Sequence, residues 1–312
     1  MNTNALNVVI CTYNRAEKLA KVLQSLMAAA MPQGVPVDII VVDNNSSDAT
    51  RQVVTEFSGS ANPKLRYIFE AKQGKSYALN TALGNLSADI VAFTDDDVIV
   101  DPGFLTEICR AAQNHPGVSC FGGRVDAIYP EAAPDWMDLE GSMGFLKSAL
   151  LDRDDGDCEA FYDTLSYSNT PAGCNMFFRR EALEKNGDFR TDLGPRGRQL
   201  GFAEDTEYCR RLIDKGYRFF YITTVIIHHP IDPVRLTKEY LSDWQYQCGK
   251  SEALSSADIP ETTVFGIPRY LFRKALSHLL GCASADPKIR AFHQLRLAYS
   301  RGQIAGFMQR QA

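Results

Sequence analysis

Several common motifs are missing from this chain of 312 residues, and each absence excludes a class of protein. The eight cysteines contain no Cys-x-x-Cys pair and no zinc-ligand spacing, so we interpret them as reduced core residues rather than metal ligands or a disulfide framework. The absence of an 18-residue apolar run argues against a transmembrane helix. The N-terminus lacks the charged and apolar regions of a signal peptide, and we therefore expect a cytoplasmic protein.

Two glycine-rich phosphate-binding motifs are also absent, namely G-x-G-x-x-G and G-x-x-x-x-G-K-[ST]. The phosphates of any bound nucleotide are therefore not held by a Rossmann or P-loop glycine turn. The net charge of −5 argues against a nucleic-acid-binding protein. The charge is uneven, since residues 233–312 carry 11 Lys/Arg against 6 Asp/Glu, whereas residues 1–232 carry a net −10. This asymmetry predicts an acidic body and a basic C-terminal part.

The first hundred residues alternate between short apolar runs and helical patterns. Strands are predicted at 6–11, 37–42, 65–69 and 90–94, and a helical pattern follows each of the first three. This alternation is typical of a mostly parallel α/β sheet flanked by helices. Open sheets of this class bind ligands at the carboxyl ends of their strands.

Three consecutive carboxylates, Asp95, Asp96 and Asp97, follow the apolar strand Ile90–Thr94 directly. Their mutual repulsion is explained if a divalent cation and a phosphate-bearing ligand lie in front of them. A solvated acidic turn is the alternative. Because no glycine turn is available for the phosphates, the metal interpretation is favoured.

Three further polar residues are candidates for a nucleotide site, and each has a plain structural alternative. Thr12 ends the first strand but equally suits a cap for the first helix. Asp43 ends the second strand and could bind a base or ribose, or simply form a turn. Lys75 lies in the segment before the third predicted helix and is either a ligand contact or a solvated side chain.

Six segments in this order resemble a family 2 inverting glycosyltransferase with the GT-A fold. They are VVICTYNR, VVDNNSSDAT, QGKSYALN, FTDDDV, PAGCNMFFRREAL and GFAEDTEYCRRLIDKGYRFFYI. The resemblance covers roughly residues 6–232. It implies a catalytic domain at 1–232, divided into a nucleotide-binding half (1–100) and an acceptor-binding half (101–232). Residues 233–312 would form a C-terminal helical extension.

The resemblance also implies the roles of individual residues. The implied nucleotide-binding residues are Thr12, Tyr13, Asn14, Arg15, Asp43, Lys75, Asp95 and Asp96. The implied ligands of a Mn²⁺ or Mg²⁺ ion are Asp95, Asp97 and His228, with His228 preferred to His229. The implied acceptor-binding residues are Trp136, Gly173, Asn175 and Arg196, although a core position is the alternative for Trp136. The loop from Gly194 to Arg198 is expected to act as a lid.

Glu204 and Asp205 open a predicted helix, where carboxylates also interact favourably with the helix dipole. In the resemblance, Asp205 is the general base that takes a proton from the acceptor hydroxyl. Glu204 would orient the acceptor or the loop. The developing charge on the nucleoside diphosphate would be offset by the cation at the aspartate triplet.

The leading hypothesis is a metal-dependent inverting glycosyltransferase that uses a UDP-sugar and a saccharide or polyprenyl-linked acceptor. A sugar nucleotidyltransferase is one alternative, but the turn Thr12–Arg15 lacks the glycine- and lysine-rich triphosphate loop of that class. A non-catalytic nucleotide-sugar-binding protein is the other, and the presence of both Asp97 and Asp205 argues against it.

The C-terminal part contains a predicted helix at 236–249 and a second helical pattern further along. In this second pattern Arg269, Arg273 and Lys274 accompany apolar residues at helical spacing, which are Ile267, Leu271, Ala275 and Leu279. A basic amphipathic helix either lies on an anionic membrane surface or packs on the catalytic domain, and the pattern alone allows both. Membrane contact would place the protein peripherally on the inner face of the membrane.

Overall fold

A computed structural model describes residues 5–59, 62–130, 132–164, 170–197, 201, 203–255 and 262–310. The strands are β1 (Leu6–Thr12), β2 (Val37–Asp43), β3 (Lys64–Phe69), β4 (Ile90–Thr94), β5 (Ile99–Val100), β6 (Cys120–Ile128), β7 (Ala160–Phe161), β8 (Met176–Arg179), β9 (Phe219–Pro230), β10 (Thr263–Val264) and β11 (Ile267–Pro268). The α-helices are α1 (Ala16–Ala28), α2 (Thr50–Phe57), α3 (Lys75–Leu83), α4 (Phe104–Asn114), α5 (Lys147–Leu150), α6 (Arg180–Asn186), α7 (Glu204–Asp214), α8 (Lys238–Ser255), α9 (Arg269–Gly281) and α10 (Pro287–Gln309).

The central sheet has the strand order β3-β2-β1-β4-β8-β6-β9-β5, and β7 pairs with β9. Strands β3, β2, β1 and β4 are parallel to one another. Strand β8 is antiparallel to both β4 and β6, and β6 is parallel to β9. The prediction of a mostly parallel α/β sheet flanked by helices is confirmed.

The strands of the first half are apolar on both faces because helices cover both sides of the sheet. Val8 and Ile10 of β1 belong to a core cluster that includes Leu19 of α1. The intervening Val9 belongs to a second cluster, which includes Leu79 of α3. The alternation of strand side chains therefore divides one apolar run between two cores.

The chain divides into two compact units. The first contains Met1–Ile128, Leu151–Gly197 and Glu204–Pro230, and the second contains Tyr129–Leu150, Arg198–Ala203 and Ile231–Ala312. The sheet and both large core clusters belong to the first unit. Helices α8, α9 and α10 belong to the second.

Close packing of α8 and α10 dominates the second unit. A Cβ atom added to Gly302 would lie 1.9 Å from the carbonyl oxygen of Tyr246, and one added to Gly249 would lie 2.1 Å from that of Tyr299. These distances show that the glycines allow the two backbones to approach each other closely. Within the part of the chain that the structure describes, no helix has the length and apolarity needed to cross a membrane.

The structure adds three details to the elements that the sequence patterns above did not contain. Asp48 does not cap α2 from the N-cap position, which Ala49 occupies, but its carboxylate accepts hydrogen bonds from the backbone N–H groups of Thr50 and Ala16. Strand β9 continues through both histidines to Pro230. The sequence pattern did not predict the 23-residue helix α10.

Candidate active site

At the carboxyl ends of β1, β2 and β3, hydrogen bonds from side chains join the loops that follow these strands. Asn44 accepts a hydrogen bond from the Gly74 N–H (2.7 Å) and donates one to the Lys72 carbonyl (2.7 Å). Asn14 has a φ of 51°, and its side-chain oxygen accepts from the Ser47 N–H. These bonds hold the first turn of α3 and the two loops at the same edge of the sheet.

Asp43 is buried at the end of β2 and has two hydrogen-bond donors. The Tyr67 hydroxyl donates to Oδ2 (2.7 Å), and the Ser46 N–H donates to Oδ1 (2.9 Å). Burial and the hydrogen bond to Asp43 raise the pKa of Tyr67 to about 12. The turn-forming interpretation of Asp43 therefore holds for one oxygen, while Tyr67 orients the other.

The three aspartates after β4 have different cationic partners. Asp95 contacts the Lys75 ammonium at 2.7 Å. Asp96 is buried and contacts the Arg15 guanidinium at 2.7 Å. Asp97 lies 3.3 Å from Arg15 and 3.8 Å from the ammonium of Lys18. The triplet is therefore not a solvated acidic turn, because positive side chains balance its charge.

Electrostatics around Asp96 follow from its burial. Removal from water raises the pKa of Asp96, although the Arg15 guanidinium and the Thr12 hydroxyl favour the charged form. The charge on Asp97 adds to the rise. In turn, Asp96 raises the pKa of Arg15, which is held against the triplet as a permanent cation. Thr12, which was also considered as a helix cap, is buried beside this pair, and α1 begins after Arg15 instead.

Lys75 links the strand ends to the first turn of α7. Its ammonium lies 2.7 Å from Asp95 and 3.6 Å from the Glu204 carboxylate. Burial acts to lower the pKa of Lys75, but the two carboxylates outweigh it and raise that pKa well above the ordinary value. Of the two sequence-based interpretations, the solvated side chain is wrong, since Lys75 is an ion-pair partner on both sides.

Gly173 gives Asp205 the room it occupies. A Cβ atom at position 173 would lie 2.1 Å from Oδ2 of Asp205. The other carboxylate oxygen of Asp205 accepts from the Thr206 N–H at 2.7 Å. Lys75, Glu204 and Asp205 share a small cavity of about 10 Å³ with Cys11 and Gly173, with room for about one water molecule.

The buried environment of Glu204 changes its acidity. Burial is the largest effect and raises the pKa of Glu204 to about 7, and the charge on Asp205 acts in the same direction. The Lys75 ammonium opposes the rise. Glu204 therefore titrates near neutral pH, a property that fits groups at functional sites.

The two histidines at the end of β9 lie on opposite faces of the strand. The ring of His228 lies 3.9 Å from both Asp101 and Asp126. His229 is fully buried, and its Nε2 lies 3.7 Å from Oδ1 of Asp97. The sequence-based preference for His228 is therefore corrected: His229 is the histidine beside the aspartate triplet.

Asn175 has a different environment from the one expected of an acceptor contact. Its buried amide donates to the carbonyl oxygens of Arg124 (2.8 Å) and Val225 (2.9 Å). A register shift between β6 and β9 occurs at Gly123 and Arg124. The Asn175 amide thus satisfies two backbone carbonyl groups beside a β-bulge.

The remaining acceptor candidates are distributed over both units. The guanidinium of Arg196 lies 5.9 Å from the centre of the Tyr77 ring in the first unit. Trp136 belongs to the second unit, where the Lys238 ammonium lies 5.2 Å from the centre of its ring. The backbone of the expected lid is tied to α3 through the hydrogen bond from Lys75 N–H to the Pro195 carbonyl, and Arg198 lies outside the described residues.

Comparison with known proteins decides the family. The model of glycosyl transferase family 2 matches residues 7–187, which is more than half of the chain. The chain belongs to glycosyl transferase family 2. This glycosyltransferase is 27% identical over 247 residues to the succinoglycan biosynthesis protein ExoM of Rhizobium meliloti, covering 79% of this chain and 73% of that protein. It is 22% identical to the glucosyl-dolichyl phosphate glucuronosyltransferase of Haloferax volcanii, covering 77% and 74%.

Solved structures support the fold. The mannosyltransferase PcManGT from Pyrobaculum calidifontis, in complex with GDP-Man and Mn²⁺, aligns with a TM-score of 0.53 at 19% identity, covering 98% of this glycosyltransferase and 74% of that chain. TarS of S. aureus, in complex with UDP, aligns with a TM-score of 0.55 at 15% identity, covering 98% and 91%. The GT-A fold expected from the sequence is confirmed.

Two possible metal-ligating side chains lie next to each other at the aspartate triplet. No group of three or more His, Cys, Asp or Glu side chains is arranged to hold a metal ion within the described ranges. Asp97 and His229 nevertheless present a carboxylate oxygen and an imidazole nitrogen 3.7 Å apart. Such a pair suits Mn²⁺ when phosphate oxygens complete the coordination.

Sequence reasoning missed three residues of this cluster. Asn44 and Tyr67 position the loops and Asp43, and Lys18 contacts Asp97 from the first turn of α1. Asn44 lies in the polar run after β2, so its position in the sequence carried a signal. Tyr67 and Lys18 carried none, because each resembles an ordinary strand or helix residue.

Proposed function

We propose that this glycosyltransferase is inverting and metal-dependent, and that it transfers a sugar from a UDP-sugar to a saccharide or polyprenyl-linked saccharide. The observation that carries the proposal is the position of Lys75 between Asp95 and Glu204. This lysine connects the strand ends, where the nucleotide would bind, with the carboxylates of α7, where the acceptor would be activated.

Asp205 is the proposed general base. Its carboxylate takes the proton of the acceptor hydroxyl while that oxygen forms a bond to the anomeric carbon of the donor. The bond between the anomeric carbon and the diphosphate breaks in the same step, and the nucleoside diphosphate leaves with the electron pair. Inversion requires no covalent enzyme intermediate, so one base is sufficient.

Glu204 has a positioning role in this proposal. It lies 3.6 Å from the Lys75 ammonium and is adjacent to Asp205. With a pKa of about 7, Glu204 is partly protonated at neutral pH, which limits its repulsion of the neighbouring base. Gly173 keeps the space beside the Asp205 carboxylate open.

The donor diphosphate would face the aspartate triplet and the cations around it. Asp97 and His229 would hold a Mn²⁺ or Mg²⁺ ion, which supplies charge stabilisation for the departing diphosphate when bound. Arg15 and Lys18, both within 4 Å of Asp97, supply further positive charge at the same place. Asp43 with Tyr67 would contact the nucleoside, together with the backbone of Tyr13 and Asn14.

Support for the substrates comes from what the related proteins bind or act on. The TarS structure contains UDP, and the PcManGT structure contains a nucleotide sugar with Mn²⁺. ExoM is named for the biosynthesis of succinoglycan, and the Haloferax enzyme is named as a glucuronosyltransferase of glucosyl-dolichyl phosphate. A lipid-linked acceptor would also bring the C-terminal helices to a membrane surface.

The test is a thermal-shift screen of nucleotide sugars with and without Mn²⁺. We expect one UDP-sugar to raise the melting temperature only when Mn²⁺ is present. The Mn²⁺-dependent rise in melting temperature should be lost in His229→Ala. It should be retained in the matched variant His228→Ala, because of the two histidines only His229 lies beside Asp97.

Two results would contradict the proposal. A melting temperature that no nucleotide sugar changes, with or without the metal, would show that the proposed donor site does not exist. Equal loss of the Mn²⁺-dependent shift in both histidine variants would show that His229 has no particular role in binding the cation.

A further inference from the structure

The second unit exposes a large amount of apolar surface on α9. Phe272, Leu276, Leu279 and Leu280 are spaced i, i+4, i+7 and i+8, which puts them on one side of the helix. Between 41% and 70% of each of these four residues is exposed. We call these four residues the exposed apolar face of α9. Clusters of exposed apolar residues are uncommon on soluble proteins and indicate a binding surface.

The exposed apolar face is distinct from the side of α9 that packs inside the second unit. Leu271 is fully buried in a small core with Ile267, Ala253 and Phe307. The helix is therefore apolar on two sides, and this core contains only one of them.

The hairpin that precedes α9 exposes another large apolar side chain. Phe265 lies in the turn between β10 and β11 and is 89% exposed. Its φ of 49° and the φ of 68° at Gly266 are both left-handed. A bulky aromatic residue is unfavourable in this conformation, where glycine or asparagine is usual. The turn therefore displays an exposed aromatic side chain at a position whose backbone conformation does not favour one.

The positive charge of residues 262–310 indicates which kind of partner the exposed apolar face of α9 binds. Residues 262–310 contain eight Lys/Arg side chains and one carboxylate, Asp286, whereas the whole chain has a net charge of −5. Helix α9 itself contains Arg269, Arg273 and Lys274 and no acidic residue. Both arginines are exposed, and by helical spacing they border the exposed apolar face. Apolar residues bordered by arginines are typical of helices that lie in the interface of an anionic bilayer.

We propose that the exposed apolar face of α9, together with Phe265, inserts into the surface of an anionic lipid bilayer. The apolar side chains would enter the boundary between headgroups and acyl chains, while Arg269 and Arg273 contact lipid phosphates. The role of this membrane contact, which is to bring the enzyme to a lipid-linked acceptor, rests on the proposed function. The membrane contact itself does not.

The experiment is flotation of the full-length protein with vesicles of phosphatidylcholine that contain or lack phosphatidylglycerol. We expect the wild-type protein to float with the anionic vesicles, more weakly at high salt, and not with the neutral ones. Changing Leu276→Gln together with Leu280→Gln should reduce the bound fraction at least about tenfold. Changing Arg269→Gln and Arg273→Gln should reduce it about fivefold for each charge removed.

Phe265→Asn is a variant that leaves the helix untouched and suits the left-handed turn, since asparagine tolerates this conformation. It should lower vesicle binding several-fold without lowering the melting temperature. Phe69→Asn is the matched control, because Phe69 is half-exposed on β3 and is remote in sequence from the hairpin. The control should bind vesicles as the wild type does.

Failure of wild-type protein to float with anionic vesicles at low salt would overturn the inference, as would unchanged flotation of both apolar variants. A concentration-dependent dimer in sedimentation velocity that the Leu276→Gln/Leu280→Gln change abolishes would assign the face to a second copy of the chain instead. UDP binding measured by calorimetry without vesicles separates the two proposals. Retained UDP binding without flotation refutes only the membrane surface, and flotation without UDP binding refutes only the donor site.

Discussion

Glu204 couples the candidate site to pH through its buried carboxylate. Its pKa is about 7 in the folded protein, against an ordinary value of 4.5. The folded state therefore binds this proton more tightly than the unfolded state does. The corresponding contribution to stability is complete below about pH 4.5 and is lost as the pH rises through about 7.

The Glu204→Gln variant tests this linkage at the residue scale. Glutamine cannot ionise, so the decline in unfolding free energy between about pH 4.5 and 7 should be shallower in the variant by about 1 kcal/mol or more. Urea unfolding of both proteins at a series of pH values measures this decline in unfolding free energy. The control Glu184→Gln, which changes an exposed glutamate paired with Arg180, should follow the wild-type pH profile. Parallel profiles for Glu204→Gln and wild type would contradict the pKa assignment.

The histidine pair illustrates what could not be read from the sequence at this scale. An apolar run ends at Ile227, directly before His228, and the pattern alone favours the first histidine as the site residue. Because β9 instead continues to Pro230, its successive side chains point to opposite faces of the sheet. Pattern alone does not say which of the two faces lies beside Asp97.

At the scale of elements, the positions of the loops were predictable and the partners of the long side chains were not. Parallel strands put their carboxyl ends at one edge of a sheet, which is why residues after β1, β2 and β4 were expected together. Lys75 is the first residue of α3, whereas the sequence placed it just before that helix, and its contact with Glu204 depends on where α7 begins. A distance of more than 120 residues along the chain separates these two side chains, and no local pattern encodes that contact.

Helix α10 shows how tertiary packing overrides local propensity. Gly302 and Gly306 lower the intrinsic helix propensity of this segment, but both lie where α8 approaches most closely. Their lack of a side chain is what permits this packing, so the glycines stabilise a helix that they would weaken in isolation.

Gly302→Ala tests the packing of α8 against α10. The added Cβ would lie 1.9 Å from the Tyr246 carbonyl oxygen, which is backbone and cannot swing away. We expect a loss of about 1–3 kcal/mol in unfolding free energy, measured by urea denaturation. The control is Gly84→Ala at the end of α3, where the nearest atom lies 3.7 Å away. A loss of equal size at both positions would show that helix contact is not the cause.

At the scale of the whole molecule, composition predicted that the C-terminal part is basic, but it did not predict which face of α9 is exposed. The basic C-terminal part was evident from counts of Lys and Arg. The apolar pattern of α9 included both Leu271, which proves to be buried, and Leu279, which proves to be exposed. The exposed side is just as apolar, and a sequence does not state which of two apolar faces a fold covers.

In the proposed function, Asp205 of α7 removes the proton of the acceptor, while the donor half of the site is built on the strand ends. Donor binding and proton transfer should therefore be separable, because the ion pairs described for Arg15, Asp96 and Asp97 do not involve Asp205. A variant of Asp205 should therefore bind the donor normally and fail to transfer its sugar.

The most direct measurement is the rate of UDP release from the donor in the presence of acceptor saccharide, together with the dissociation constant of UDP, for Asp205→Asn. We expect the transfer rate to fall about 10²–10⁴-fold while the dissociation constant changes less than about twofold. Asp214→Asn, an exposed aspartate at the end of the same helix, should transfer sugar at the wild-type rate. Transfer by Asp205→Asn at close to the wild-type rate would contradict the account.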